Sequence, residues 1–339
     1  MDNMKNTAKK PDDKFVWPII GNRAAFDFLD KSYLLGNVAQ TYIFSGIDDL
    51  GKALAAQCFA GRLIFPDFNP GAIWSAAHSE RLANCGDCHV VERLAGKKNI
   101  SIDQIREFIN ILGLGSFSNS RKVGIITVAE TLSLEAANSL LKLLEEPAAN
   151  TVIILLTSSL DSILPTIVSR AQVINFFPVG DTLIRDYLRD NFGASLAVAN
   201  ELAALSGGRP ARALRFLSDR EFYNSYLKQV QTFLGFLKSD ISERWTNIAG
   251  LLAGVEETTA TAQQTIETWE AVTRDLLLLL SDNADLIWHR AFAAELKELA
   301  ESLDIIKVNE WLALLKKSKE YLAANVTPKN ALEYIASNI

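Results

Sequence analysis

Two continuous apolar segments, separated by one helix-forming segment, constrain the fold of this chain more than any other feature. The first covers Lys122–Val128 and the second covers Thr151–Thr157. Neither shows the strict alternation of a half-buried strand, and continuous apolar strands are typical of parallel sheets that are covered on both faces. Between them, Ser133–Glu146 carries the wide apolar stripe of a helix that packs on such a sheet. This stretch therefore predicts a β-strand, helix, β-strand unit.

Local signals indicate where that helix begins and ends. Ser133 is predicted to cap its N-terminus, and Glu135 places negative charge near the positive end of the helix dipole. Pro147 is predicted to stop the helix, because the residue before a proline is disfavoured in the helical conformation.

Further elements are predicted on both sides of this unit. Short apolar runs indicate strands at Thr41–Ser45 and Gln172–Phe176, and a weaker one at Ile100–Ile102. Residues 65–98 are predicted to be irregular. After Pro178 the strand signal ends and amphipathic helices follow to the C-terminus. The chain thus divides into a disordered leader (1–14), an α/β domain (15–178), a small helical domain (179–220) and a helical bundle (221–339).

Composition limits the classes of function. The chain has 34 Lys and Arg residues against 40 Asp and Glu, and this net charge of −6 argues against stand-alone nucleic-acid binding. Three cysteines are too few, and odd in number, for a secreted disulfide scaffold. No secretory signal and no membrane-spanning apolar run is visible, so we expect a soluble cytoplasmic protein that does not contact a membrane.

A candidate phosphate loop follows the first predicted strand. Gly46, Gly51 and Lys52 have the G-x-x-x-x-G-K spacing between a strand and a helix, in which backbone N–H groups and the lysine hold phosphates. The next residue in such loops is Ser or Thr, whose hydroxyl helps to hold Mg²⁺, but here it is Ala53. Asp48 and Asp49 also place negative charge where a polyphosphate would bind.

The acidic residues of a hydrolysing site are displaced as well. In an active ATPase with such a loop, the strand beginning at Lys122 would end in Asp-Glu, whereas Thr127 and Val128 stand there and Glu130 comes later. Two interpretations remain open: a vestigial loop that needs glycine only for its turn, or a functional nucleotide site. The missing groups favour the first.

Several segments resemble a known family. The chain is similar to the bacterial DNA polymerase III clamp-loader subunits, which are AAA+ proteins, over about residues 15–217 and more weakly beyond. The segments that carry the resemblance are Trp17–Gly21, Ile102–Glu107, Ala136–Pro147, Leu164–Arg170, Gly207–Leu214 and Asn330–Glu333. Within the family, the degenerate phosphate loop resembles that of the delta-prime subunits and not that of the ATP-hydrolysing gamma/tau subunits.

The resemblance implies a fold and a role. The fold would be an AAA+ RecA-like parallel-sheet domain, a small helical lid and a C-terminal helical collar. The role would be that of a non-hydrolysing member of a hetero-pentamer with gamma/tau and delta subunits, which loads the sliding clamp on primed DNA. Ser169 and Arg170 match the family's arginine finger, which acts on the ATP of the neighbouring subunit; Ala171 replaces the cysteine that usually follows. The alternatives are a hydrolysing gamma/tau-like subunit and an AAA+-derived adaptor in another assembly.

Cys85 and Cys88 supply half of a structural zinc site, which needs four ligands. Members of the family carry a four-cysteine module in this region, and here Val91 stands where a third cysteine would follow. His78 and His89 are the available substitutes, although His89 adjoins Cys88. We favour a relic over a weakly held zinc ion, and we expect no cofactor bound by this chain itself.

Overall fold

The computed structural model describes residues 15–114, 116, 121–146, 148–252, 259–324 and 326–339. The predicted leader and Pro147 lie outside these residues. Contacts divide the chain into two compact units. The first contains the described residues up to Phe192 together with Gly208–Ala211, and the second contains Gly193–Gly207 and Arg212–Ile339. The boundaries predicted at residues 178 and 220 stay a prediction.

The first unit is built on a five-stranded parallel sheet whose strands pair in the order β2-β3-β4-β1-β5. The strands are β1 (Thr41–Ser45), β2 (Cys88–Val91), β3 (Lys122–Ile126), β4 (Thr151–Thr157) and β5 (Gln172–Asn175). Every residue of β1, β3 and β4 is buried, as their continuous apolar sequences predicted. The organising β-strand, helix, β-strand unit is therefore confirmed.

Helices cover both faces of the sheet. Those of the first unit up to its last strand are α1 (Arg23–Leu34), α2 (Lys52–Ile64), α3 (Ala76–Ala83), α4 (Ile102–Gly113), α5 (Leu134–Glu145) and α6 (Pro165–Val168). Phe44 and Ile154 point into the cluster formed with α1 and α2, whereas their neighbours Ile43 and Leu155 point into the cluster formed with α4 and α5. This alternation explains why the central strands are apolar at successive positions.

The helix signals hold at the N-terminus of α5. The Ser133 side chain accepts a hydrogen bond from the Ala136 N–H group at 3.2 Å, and the helix begins at Leu134. The helix ends at Glu145.

Two predictions for the region between α2 and β3 are wrong. Residues 65–98 contain α3 and the edge strand β2, which pairs with β3 from Cys88 to Val91. Ile100–Ile102 is not a strand, because Ser101 and Gln104 form a capping box that begins α4 at Ile102. Only an isolated bridge joins Ile100 to Leu132.

Helices make up the rest of the described chain, as predicted. They are α7 (Asp181–Phe192), α8 (Leu196–Leu205), α9 (Pro210–Ser218), α10 (Arg220–Lys238), α11 (Ile241–Leu252), α12 (Thr259–Leu280), α13 (Ala293–Glu301), α14 (Ile305–Ala323) and α15 (Pro328–Asn338). In the part of the chain that the structure describes, no helix is long and apolar enough to cross a membrane.

The bundle of the second unit is organised around α12. Trp269 is fully buried and stacks on Phe233 of α10, with ring centroids 4.8 Å apart. Asp275 is also fully buried, and its carboxylate accepts a 2.8 Å hydrogen bond from His289 Nδ1. His289 Nε2 in turn lies 2.8 Å from the Tyr226 hydroxyl of α10. Because its buried polar groups are satisfied in this way, the network ties α10, α12 and the turn before α13 together.

Candidate functional site

The loop between β1 and α2 keeps the backbone shape of a phosphate loop. Gly46 has a φ of 147°, and a Cβ atom there would lie 2.4 Å from the Phe176 carbonyl oxygen. Gly51 has a φ of 91° and stands at the N-cap of α2. The carbonyl of Asp49 accepts a 3.0 Å hydrogen bond from the Ala211 N–H group. Packing within this unit is therefore sufficient to require the glycine at position 46 and to hold the turn.

The lysine of this loop is turned back onto the loop itself. Lys52 is 7% exposed, and its ammonium donates hydrogen bonds to the carbonyl oxygens of Gly46 and, at 3.1 Å, Ile47. Asp48 lies 3.5 Å away and is largely exposed. Burial lowers the pKa of Lys52, and the carboxylates of Asp48, Glu130 and Asp49 oppose that shift. The charge that would neutralise a phosphate thus already has partners within the protein.

The region after β3 holds one carboxylate, in a position that the sequence did not predict. The hydroxyl of Thr127 donates to the Val91 carbonyl at 3.4 Å. Glu130 instead accepts hydrogen bonds from the Ser158 hydroxyl at 2.6 Å and from the Ser158 N–H group at 3.0 Å. Glu130 is therefore fixed against the end of β4, and its charge acts on Lys52.

Together these residues do not fit a magnesium-nucleotide site. Ala53 has no oxygen to bind the metal, Glu130 is held by Ser158, and Lys52 is bonded to loop carbonyls. A phosphate would have to displace those carbonyls and approach Asp48 and Asp49, whose charges repel it. The loop has the shape of a phosphate site without the groups that the chemistry needs.

The candidate arginine finger lies on the surface at the end of α6. Ser169 follows the last helical residue, and its hydroxyl donates to the Thr166 carbonyl at 3.1 Å. The Arg170 guanidinium donates from Nη1 to the Thr166 carbonyl at 2.9 Å and from Nη2 to Glu145 Oε1 at 2.8 Å. The Arg170 side chain is 37% exposed. A planar guanidinium in this position is able to reach an anion outside the chain.

The two cysteines lie at the edge of the sheet. Cys85 precedes β2 and its thiol donates to the Leu82 carbonyl at 3.1 Å, while Cys88 begins β2. Burial, and secondarily the neighbouring Cys85, raises the pKa of the Cys88 thiol to about 12. A structural zinc site needs four ligands, and this pair of cysteines supplies two of them.

The two candidate histidines have other contacts. His78 bonds to Ser75 at the start of α3, and the His89 ring lies against Phe108. Among the described residues, no group of three or more His, Cys, Asp or Glu side chains is arranged to hold a metal ion. The residues present do not fit a tetrahedral zinc site.

The sequence named Glu130 but did not predict its contact with Ser158, and it did not predict that Glu145 lies beside Arg170. A weak signal existed for Glu145. It is the last residue of α5, where the helix dipole disfavours a negative charge and a nearby cation is stabilising. For the contact between Glu130 and Ser158 no local signal existed, because the two residues are 28 positions apart in the sequence.

Comparison with known proteins agrees with this description. The family "DNA polymerase III, delta subunit" matches residues 21–180. The chain is 27% identical to DNA polymerase III subunit delta' of Bacillus subtilis, over 88% of this chain and 90% of that protein. It is 26% identical to the Haemophilus influenzae subunit delta' (71% and 84%) and 29% identical to that of Pseudomonas aeruginosa (69% and 70%).

The parallel-sheet unit, the helical remainder and these matches make the chain similar to the bacterial clamp-loader class of proteins. Within that class, the chain is a relative of the delta-prime subunits of bacterial DNA polymerase III. Both the predicted fold class and the resemblance are thereby confirmed.

Proposed function

We propose that this chain is a clamp-loader subunit of the delta-prime type that hydrolyses no ATP itself and supplies Arg170 to the ATP of a neighbouring subunit. The observation that carries the proposal is the difference in exposure between Lys52 and Arg170. Lys52 is buried and bonded to its own loop, whereas Arg170 is exposed at the surface.

The chemistry of phosphoryl transfer suits this division. Charge develops on the phosphoryl oxygens in the transition state, and an arginine from another chain is able to stabilise it without binding any nucleotide. The planar N–H groups of the Arg170 guanidinium match phosphate oxygens. The hydrolysing alternative would need Lys52 to leave the carbonyls of Gly46 and Ile47, and a metal ligand where Ala53 stands.

The proposed assembly contains gamma/tau and delta subunits as partners, in a cytoplasmic hetero-pentamer that places the sliding clamp on primed DNA. Proteins named gamma and tau subunits also match this chain, over about half of its length. The net charge of −6 supports contact with DNA through the complex and not by this chain alone. We propose further that the chain binds neither nucleotide nor zinc in its working state.

Arg170→Ala in the reconstituted complex tests the proposal. We expect the ATPase stimulated by clamp and primed DNA to fall by at least about tenfold, given the contribution of arginine fingers. The matched control is Arg81→Ala, because Arg81 is 42% exposed and pairs with Asp67 at 2.7 Å, much as Arg170 pairs with Glu145. Full activity of the Arg170→Ala complex would refute the finger assignment.

A further inference from the structure

Glu145 and Arg170 form a contact between two elements that are far apart in the sequence. Glu145 is the last residue of α5, and Arg170 follows α6, 25 residues later. The carboxylate oxygen Oε1 lies 2.8 Å from Nη2 of the guanidinium. A carboxylate at a helix C-terminus is disfavoured by the helix dipole, and the guanidinium of Arg170 offsets this unfavourable interaction.

The guanidinium is fixed from two directions. The Thr166 carbonyl and, at 3.4 Å, the Ser169 hydroxyl accept from Nη1, while Glu145 accepts from Nη2. These bonds use both N–H groups of Nη1 and one of Nη2. Among the described contacts, the Nε–H group and the second N–H of Nη2 keep their donor capacity for an acceptor from outside the chain.

We propose that Glu145 is a positioning residue, which orders the Arg170 side chain before a neighbouring triphosphate arrives. This inference rests on the proposed function of Arg170. A free arginine side chain loses rotamer entropy when it is ordered, and a side chain that is already held loses less. Preorganised charge is also what stabilises a transition state most effectively.

The size of the effect follows from exposure. The Glu145 side chain is 51% exposed, so solvent and salt screen the ion pair. For Glu145→Gln in the reconstituted complex, we therefore expect kcat of the stimulated ATPase to fall about two- to fivefold. KM for ATP stays unchanged, because Arg170 acts on charge that develops in the transition state.

The control variant is Glu146→Gln, which removes the adjacent exposed carboxylate and is expected to leave kcat at the wild-type value. Glu145→Asp is expected to recover part of the lost activity, because it keeps the charge on a shorter side chain. In an Arg170→Ala background, Glu145→Gln is expected to change nothing further, since a positioning residue acts only through the group that it positions.

Wild-type kcat for Glu145→Gln, beside a tenfold or larger loss for Arg170→Ala, would overturn the positioning role and leave the finger in place. An increase in kcat would also overturn it, because Glu145 would then restrain Arg170 from acting. Wild-type activity of Arg170→Ala would instead refute the proposed function itself. Complex formation and thermal unfolding of each variant, measured alongside, ensure that the same assembly is compared.

Discussion

Two cations of the first unit differ in their exposure, and this difference decides what they are able to bind. Lys52 stands in a loop with the spacing of a phosphate site, yet it is buried and bonded to main-chain carbonyls. Arg170 stands at the end of a one-turn helix, but it is exposed and its acceptors leave donor capacity unused. A sequence motif therefore identifies the loop, whereas burial and partners identify the group that is available for chemistry.

The difference arises from how each position is built. Lys52 begins α2 after the loop that follows β1, where its burial is offset by hydrogen bonds within the loop. Arg170 lies near the C-terminal ends of α5 and α6, and segments that follow helix ends usually run over the surface. One fold thus keeps the lysine of the glycine loop as a structural group and presents a second cation at the surface.

The largest effect on activity is expected when the guanidinium of Arg170 is replaced by another cation. Arg170→Lys keeps the charge but loses the planar set of N–H groups. We expect the stimulated ATPase of the complex to retain less than about one tenth of the wild-type rate. A rate close to wild type would mean that a positive charge at position 170 is sufficient for activity and that the planar guanidinium is not needed.

A second effect concerns the loop as structure. Gly46→Ala would place a Cβ atom 2.4 Å from the Phe176 carbonyl oxygen, on a backbone with φ of 147°. We expect the free energy of unfolding of this unit to fall by about 2–3 kcal/mol in urea denaturation. Gly36→Ala is the matched control: its φ is 70°, nothing lies within 4 Å of the added Cβ, and it costs about 1 kcal/mol. Equal effects of the two substitutions would contradict the close packing of the loop.

A smaller effect concerns Lys52. Lys52→Met leaves the carbonyls of Gly46 and Ile47 without their donor, and we expect a loss of about 1 kcal/mol in the free energy of unfolding at neutral pH. The stimulated ATPase of the complex is expected to remain within about twofold of wild type, because Lys52 binds no phosphate in this account. A loss as large as that of Arg170→Ala would contradict the comparison.

The pH dependence of stability tests whether the Lys52 ammonium is buried. Burial lowers the pKa of Lys52 in the folded chain below its usual value of 10.5. At a pH between the folded-state pKa and 10.5, Lys52 is therefore more protonated in the unfolded chain than in the folded chain. Stability consequently rises with pH across that window, and the penalty for the buried charge is fully present only below it. The wild-type advantage over Lys52→Met is expected to grow as the pH approaches 10.5. An advantage that shrinks would mean that the neighbouring carboxylates outweigh burial, which would contradict the lowered pKa.

The elements that the sequence predicted well are those whose burial is uniform. Thr41–Ser45 and Thr151–Thr157 are strands over their whole predicted lengths, because a strand that is covered on both faces needs apolar residues throughout. The edge strand Cys88–Val91 was not predicted, since it is only partly buried and Cys88 together with Cys85 suggested a metal loop. At Ile100 an apolar residue suggested a strand, but the capping box at Ser101 decided for a helix.

The candidate site was predictable in its residues and not in its contacts. The sequence alone shows that Ala53 has no hydroxyl and that Thr127 and Val128 are not acids. The turn of Lys52 onto its own loop and the pairing of Glu145 with Arg170 depend on burial and on elements that meet only in the folded chain. Such contacts have no local pattern from which to predict them.

ATP turnover by the purified chain alone tests the central claim most directly. The account predicts hydrolysis no faster than the background of the Lys52→Met variant, at any ATP concentration and with Mg²⁺ present, while the same preparation supports a complex whose ATPase requires Arg170. Steady hydrolysis by the isolated chain at the rate of a clamp-loader ATPase, lost in Lys52→Met, would contradict it.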